Sequence, residues 1–123
     1  MTRERFGEIV EEALAEIPEI FREHLADVVF VVEDEPRDDD LLSVGLEPGR
    51  DSLYGLFDGR PLGERSFADG LVEPDRIVLY YRPLVRDFRT PWAIRRQIRT
   101  TVVHEVAHFF GLDEDEVAAE GYE

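Results

Sequence analysis

The stretch from Thr90 to Gly111 constrains this chain more than any other. Thr90 followed by Pro91 is a helix start, because a threonine hydroxyl can accept an orphan N–H of the first turn and proline is tolerated at the first helical position. Ile94, Ile98, Val102, Val106 and Phe109 then recur at helical spacing as an apolar stripe for a core. Gly111 stands where a left-handed residue ends a helix. The pattern predicts one long helix, running to about Phe110.

The other elements read more briefly. Phe6, Ile9, Val10, Ala13, Leu14 and Ile17 alternate with Glu8, Glu11, Glu12 and Glu16 in an amphipathic helix, which Pro18 interrupts and Ile20, Phe21 and Leu25 continue for a short way. Val28 to Val32 is a run of β-favouring residues, expected as a strand covered on both faces. From Glu33 to Asp40 six of eight residues are acidic, which predicts a solvated loop; a calcium loop would need ligands at set offsets and a central glycine. A middle punctuated by Gly45, Pro48, Gly49, Gly55, Gly59, Pro61, Gly63 and Gly70 leaves room for a short strand over 53–57. A further strand runs from Arg76 to Tyr81, closed by Pro83. Asp113, with Glu116 three residues on, restarts a short final helix that ends near Gly121.

With 123 residues and 43% of them hydrophobic, the chain makes one domain over 1–123 with a real core. Fourteen basic residues, all arginine, stand against 29 acidic ones, a net charge of −15 that repels nucleic-acid phosphates and anionic lipid surfaces. The start, Met1-Thr2-Arg3-Glu4-Arg5, leads into an amphipathic pattern, and no run nears the roughly 20 apolar residues of a membrane span. The expectation is a cytoplasmic protein with no nucleic-acid or membrane partner. Cysteine is absent, so any metal must be held by His, Asp and Glu.

His104-Glu105-Val106-Ala107-His108 is an H-E-x-x-H pattern on the long helix. Histidines four apart share a helix face one turn apart, so both rings can reach one zinc ion, while Glu105 projects about 100° round the helix and is placed to act on water as a general base. Thr101 and Gln97 continue the polar face backwards. A catalytic zinc takes three protein ligands, and Gly111 lets the chain reverse so that a carboxylate just beyond it closes the set. Glu114 is the economical choice, with Asp113 and Asp115 as competitors and Asp113 engaged as the helix cap. The negative end of the helix dipole also favours a cation here.

Together with the segments over 53–62 and 75–80, the run Thr101 to Leu112 resembles the small bacterial zincin-like metallopeptidases, or mini-zincins, over nearly the whole chain. The resemblance implies an α+β fold: a small mixed sheet of three to four strands packed against an N-terminal helix and the H-E-x-x-H helix. It also implies a Zn2+ cofactor and hydrolysis of a peptide or an unstructured protein segment, with a shallow cleft. In that family the residue three beyond the glycine is usually Asp, where this chain has Glu114. Larger relatives carry a methionine turn beneath the metal; the only methionine here is Met1, and Tyr122 looks like the residue that takes its place, packing below the site or turning its hydroxyl to it. By fold analogy the strand Arg76 to Tyr81 lies at the cleft edge and aligns an extended substrate.

The remaining features read blandly. His24 is a polar position on the first helix, Trp92 is buried, and Tyr80 and Tyr81 pack in a strand. Arg82, Arg86, Arg89, Arg95, Arg96 and Arg99 neutralise acidic neighbours. Two functional classes follow: a small zinc peptidase, and a catalytically idle mini-zincin serving as a metal-binding or regulatory interaction module. Self-association into a homodimer is compatible with either.

Overall fold

The computed structural model describes residues 1–59 and 74–122. Helix α1 (Arg3–Ala15) begins where the Thr2 hydroxyl accepts the Arg5 N–H at 3.0 Å, and it buries Phe6, Ile9, Val10 and Ala13. After Pro18 come α2 (Glu19–Arg22) and a 3-10 turn (Glu23–Leu25), then β1 (Val28–Glu33) and α3 (Asp38–Ser43). The chain continues with β2 (Gly55–Asp58), β3 (Asp75–Tyr80), α4 (Tyr81–Asp87), α5 (Pro91–Phe110) and α6 (Glu114–Ala119).

Helix α5 matches the sequence pattern at both ends. Thr90 Oγ1 accepts the Ala93 N–H at 3.1 Å, and Gly111 adopts the left-handed conformation with φ 65° and ψ 36°. Its buried residues Ile94, Ile98, Val102, Val103 and Val106 meet the apolar face of α1 in one core, which Ile77 and Leu79 of β3 complete. Each such side chain contributes about 1.5–3 kcal/mol when fully buried. At the rim, Arg95 pairs with Glu12 (3.4 Å) and Glu16 (3.1 Å), and Arg99 pairs with Glu16. These half-exposed pairs tie α1 to α5 but add little beside the apolar contact.

The sheet is mixed, in the order β1-β3-β2. β1 runs parallel to β3 from Val28 opposite Asp75 to Glu33 opposite Tyr80, and β2 runs antiparallel to it with Gly55 opposite Leu79. Side chains alternate along β3, so Val78 and Tyr80 turn away from the face that carries Ile77 and Leu79. Tyr80 is fully buried, and its hydroxyl donates to Asp40 Oδ2 of α3 at 3.3 Å. Burial, then the negative charge of Asp40, pushes the pKa of that hydroxyl far up, so it stays protonated.

Several expectations are corrected. β3 is paired on both sides and offers no free margin to a substrate; among the described residues β1 and β2 are the outer strands. Nor is β1 covered on both faces, since Val29 is 45% exposed. The acidic run is not wholly a loop: its second half opens α3, where Asp38, Asp39 and Asp40 sit in the first turn, the end of a helix dipole that favours negative charge. Asp40 also accepts the Arg37 N–H at 3.0 Å. Beyond closing the strand, Pro83 lies in the first turn of α4, where its missing N–H costs nothing. Trp92 is 59% exposed, with Arg96 over its ring at 5.6 Å, and Phe109 is 39% exposed. His24 belongs to the 3-10 turn, not to the first helix. The turn residues Pro61, Gly63 and Gly70 lie outside the described residues.

Candidate active site

The last turns of α5, the reversal at Gly111 and helix α6 enclose a cleft of about 810 Å³. His104, Glu105 and His108 line it from α5, Glu114 and Asp115 from α6, and Tyr122 from beyond it. The reversal is built locally: Gly111 ends α5, and the Leu112 N–H returns to the Ala107 carbonyl at 2.8 Å. Asp113 then caps α6 by accepting the Asp115 N–H at 2.7 Å. Val117, only 6% exposed, plugs α6 into the core and so presents the preceding turn to the cleft. Of the three carboxylates considered for the third ligand, Glu114 and Asp115 thus line the cleft, while Asp113 serves as the cap.

Glu105 is half-buried and tethered. Its Oε2 accepts the backbone N–H of Phe57 in β2 at 3.2 Å. β2 comes this close because Gly55 has no side chain: a Cβ there would stand 2.8 Å from Thr101 Cγ2 and 3.1 Å from the Val78 carbonyl oxygen. Burial raises the Glu105 pKa above the ordinary carboxylate range, opposed by the Phe57 N–H and by the charges available to His108 and His104.

His104 and His108 are both exposed along the same face of α5. His104 Nε2 lies 2.7 Å from the main-chain carbonyl of Tyr122. The Tyr122 ring meets Phe21 edge-on, with centroids 6.1 Å apart, and the group of Tyr122 that contacts His104 is its main-chain carbonyl. Two imidazoles and two carboxylates facing one cleft are the donor types zinc takes. The set fits in kind; among the described residues no three His, Asp or Glu side chains are yet drawn round a single point.

Two of these contacts, Phe57 to Glu105 and Tyr122 to His104, carry no signal in the sequence, because each uses a main-chain group brought in by tertiary packing. An aromatic cluster also escaped the sequence reading. Phe57 stacks on Phe109 with centroids 3.9 Å apart, Phe110 lies edge-on to both, and His24 tilts against Phe110 at 4.8 Å. These rings occupy the flank of α5 beside Glu105.

The fold has a counterpart among solved structures. Over nearly its full length, 97% of this chain and 99% of the other, the structure is similar to a conserved hypothetical protein from Thermo thermophilus, with a TM-score of 0.56 and 25% sequence identity. No curated protein sequence matches the chain. Residues 25–122, from the end of the 3-10 turn through the whole H-E-x-x-H helix to Tyr122, match the family described as zincin-like metallopeptidase, and it is to this family that the chain belongs.

Proposed function

We propose that the protein is a zinc-dependent peptidase in which His104, His108 and Glu114 hold the ion and Glu105 is the general base. The observation that carries this reading is the shared cleft: both histidines of the H-E-x-x-H turn, the glutamate between them and a carboxylate of α6 border one open space. Family membership supports the same chemistry. When bound, zinc supplies a polarised scissile carbonyl and a more acidic water.

The protein's own residues do the rest. With Oε2 held by the Phe57 N–H, Glu105 has Oε1 free to take the proton of the attacking water and pass it to the leaving amine. The tether fixes the carboxylate against β2, and partial burial makes it a better proton acceptor than a solvated carboxylate. The end of α5 adds the partial negative charge of its dipole behind the two imidazoles. Open to solvent along α5 and α6, the cleft suits an extended peptide or an unstructured segment.

The test joins metal analysis of protein purified without chelators to cleavage of a peptide library by wild type and Glu105→Gln. Bound zinc with cleavage that the substitution abolishes is the expected result. Zinc without cleavage by wild type would instead favour the idle, metal-binding module; the engagement of His104 by Tyr122 speaks for that second reading.

A further inference from the structure

We propose that residues 120–122 form a latch on the metal site, in which the Tyr122 carbonyl and the ion compete for one atom, His104 Nε2. The inference rests on the reading of His104 and His108 as ligands. A carbonyl oxygen offers only lone pairs, so at 2.7 Å the His104 ring must present Nε2 as an N–H donor. A ring nitrogen that carries its proton has no lone pair for a metal. Coordination at Nε2 therefore requires the proton to sit on Nδ1 and the carbonyl to withdraw.

The latch is built, not a loose end that happens to lie nearby. The Gly121 N–H bonds the Ala118 carbonyl at 2.9 Å and the Tyr122 N–H reaches the Val117 carbonyl at 3.2 Å, a left-handed helix ending with Gly121 at φ 87°. That turn aims the Tyr122 carbonyl back at α5. The Tyr122 ring fixes it from the other side by meeting Phe21, itself 1% exposed, edge-on. One turn and one ring thus hold an oxygen on the first histidine of the motif. Because coupling between two binding events is reciprocal, what weakens the latch strengthens ion binding, and a bound ion frees the segment.

Two substitutions release the carbonyl by different means. Tyr122→Ala removes the ring. Gly121→Ala opposes the left-handed turn without a clash, since nothing lies within 4 Å of a Cβ built there. Co2+ affinity, measured from the visible spectrum against a competing chelator, is compared for wild type, both variants and His108→Ala; hydrogen exchange of the segment 117–122 is followed with and without Zn2+. The expected result is affinity about tenfold higher in both variants, the worth of roughly one hydrogen bond, and faster exchange of the wild-type segment once Zn2+ is added. Equal or weaker affinity in both variants, with His108→Ala still abolishing binding, would overturn the latch and leave the metal site standing. Absence of Co2+ uptake by every protein would overturn the metal site itself, and the latch with it.

Discussion

The Phe57 main-chain N–H donates to the Glu105 carboxylate, so an outer strand of the sheet and the H-E-x-x-H helix share one hydrogen bond at the centre of the candidate chemistry. A glutamine at position 105 keeps an acceptor for that N–H and removes a charge that burial disfavours. Glu105→Gln is expected to change stability by less than about 1 kcal/mol, in either direction, while Phe57 stays protected from hydrogen exchange. Glu105→Ala is expected to lose that protection. Fast Phe57 exchange in the glutamine variant would show that the bond does not survive.

Gly55 is the close approach that makes the tether possible. Gly55→Ala places a Cβ against Thr101 Cγ2 and is expected to destabilise the fold by about 1–3 kcal/mol in urea denaturation. Adding Thr101→Ser deletes the nearest methyl group and recovers part of the loss. Additive effects of the two substitutions would argue against direct contact.

The carboxylates beyond Gly111 differ in position: Asp113 caps α6, while Glu114 and Asp115 line the cleft. Asp113→Ala removes the cap of α6 and is expected to cost about 1 kcal/mol of stability with little change in metal affinity. Glu114→Ala is expected to do the reverse, lowering zinc affinity at least about tenfold at nearly constant stability. Isothermal titration and thermal melts on the same preparations separate the two. If Asp115→Ala, and not Glu114→Ala, loses the ion, the third ligand moves to Asp115.

Tyr54 and Asp87 give a pH signature remote from the cleft. The Tyr54 hydroxyl donates to Asp87 Oδ2 at 2.6 Å; Arg86 and then Tyr54 hold the Asp87 carboxyl below its usual range, and the bond raises the tyrosine. A lowered carboxyl stabilises the fold above its unfolded value and loses that contribution as pH falls through the folded one. A raised tyrosine contributes below its unfolded value and loses it as pH rises through the folded one. Tyr54→Phe is thus expected to cost less than about 1 kcal/mol at neutral pH and to flatten both limbs, more clearly the acid one. Parallel stability profiles for wild type and variant would contradict this.

How much was legible in the sequence follows from how local each signal is. Thr90, Pro91 and Gly111 act within one turn of themselves, and α5 starts and stops where they stand. The motif and its following carboxylates sit on contiguous chain, so the placement of His104, Glu105, His108 and Glu114 around one cleft follows from helix geometry and a single reversal. Strand order is different. Nothing within Asp75 to Tyr80 says that both sides of it will be paired, because that depends on where segments tens of residues away come to lie. The aspartates at the start of α3 read as loop when their mutual repulsion is weighed and the helix dipole is not. The size of Trp92 suggests burial, whereas its place in the first turn of α5 leaves it outside, beneath Arg96.

The placement of β3 between its neighbours has a colloidal consequence. Among the described residues β1 pairs with no strand but β3, and Arg3 covers one of its outward carbonyls, that of Val32, at 3.2 Å. The rest of that ladder, with Val29 showing, is a template on which another molecule could add a strand. A net charge of −15 keeps such molecules apart, but its reach shrinks from about 10 Å at 0.1 M salt to about 3 Å at 1 M. Added salt is therefore expected to favour association of concentrated molecules along this edge.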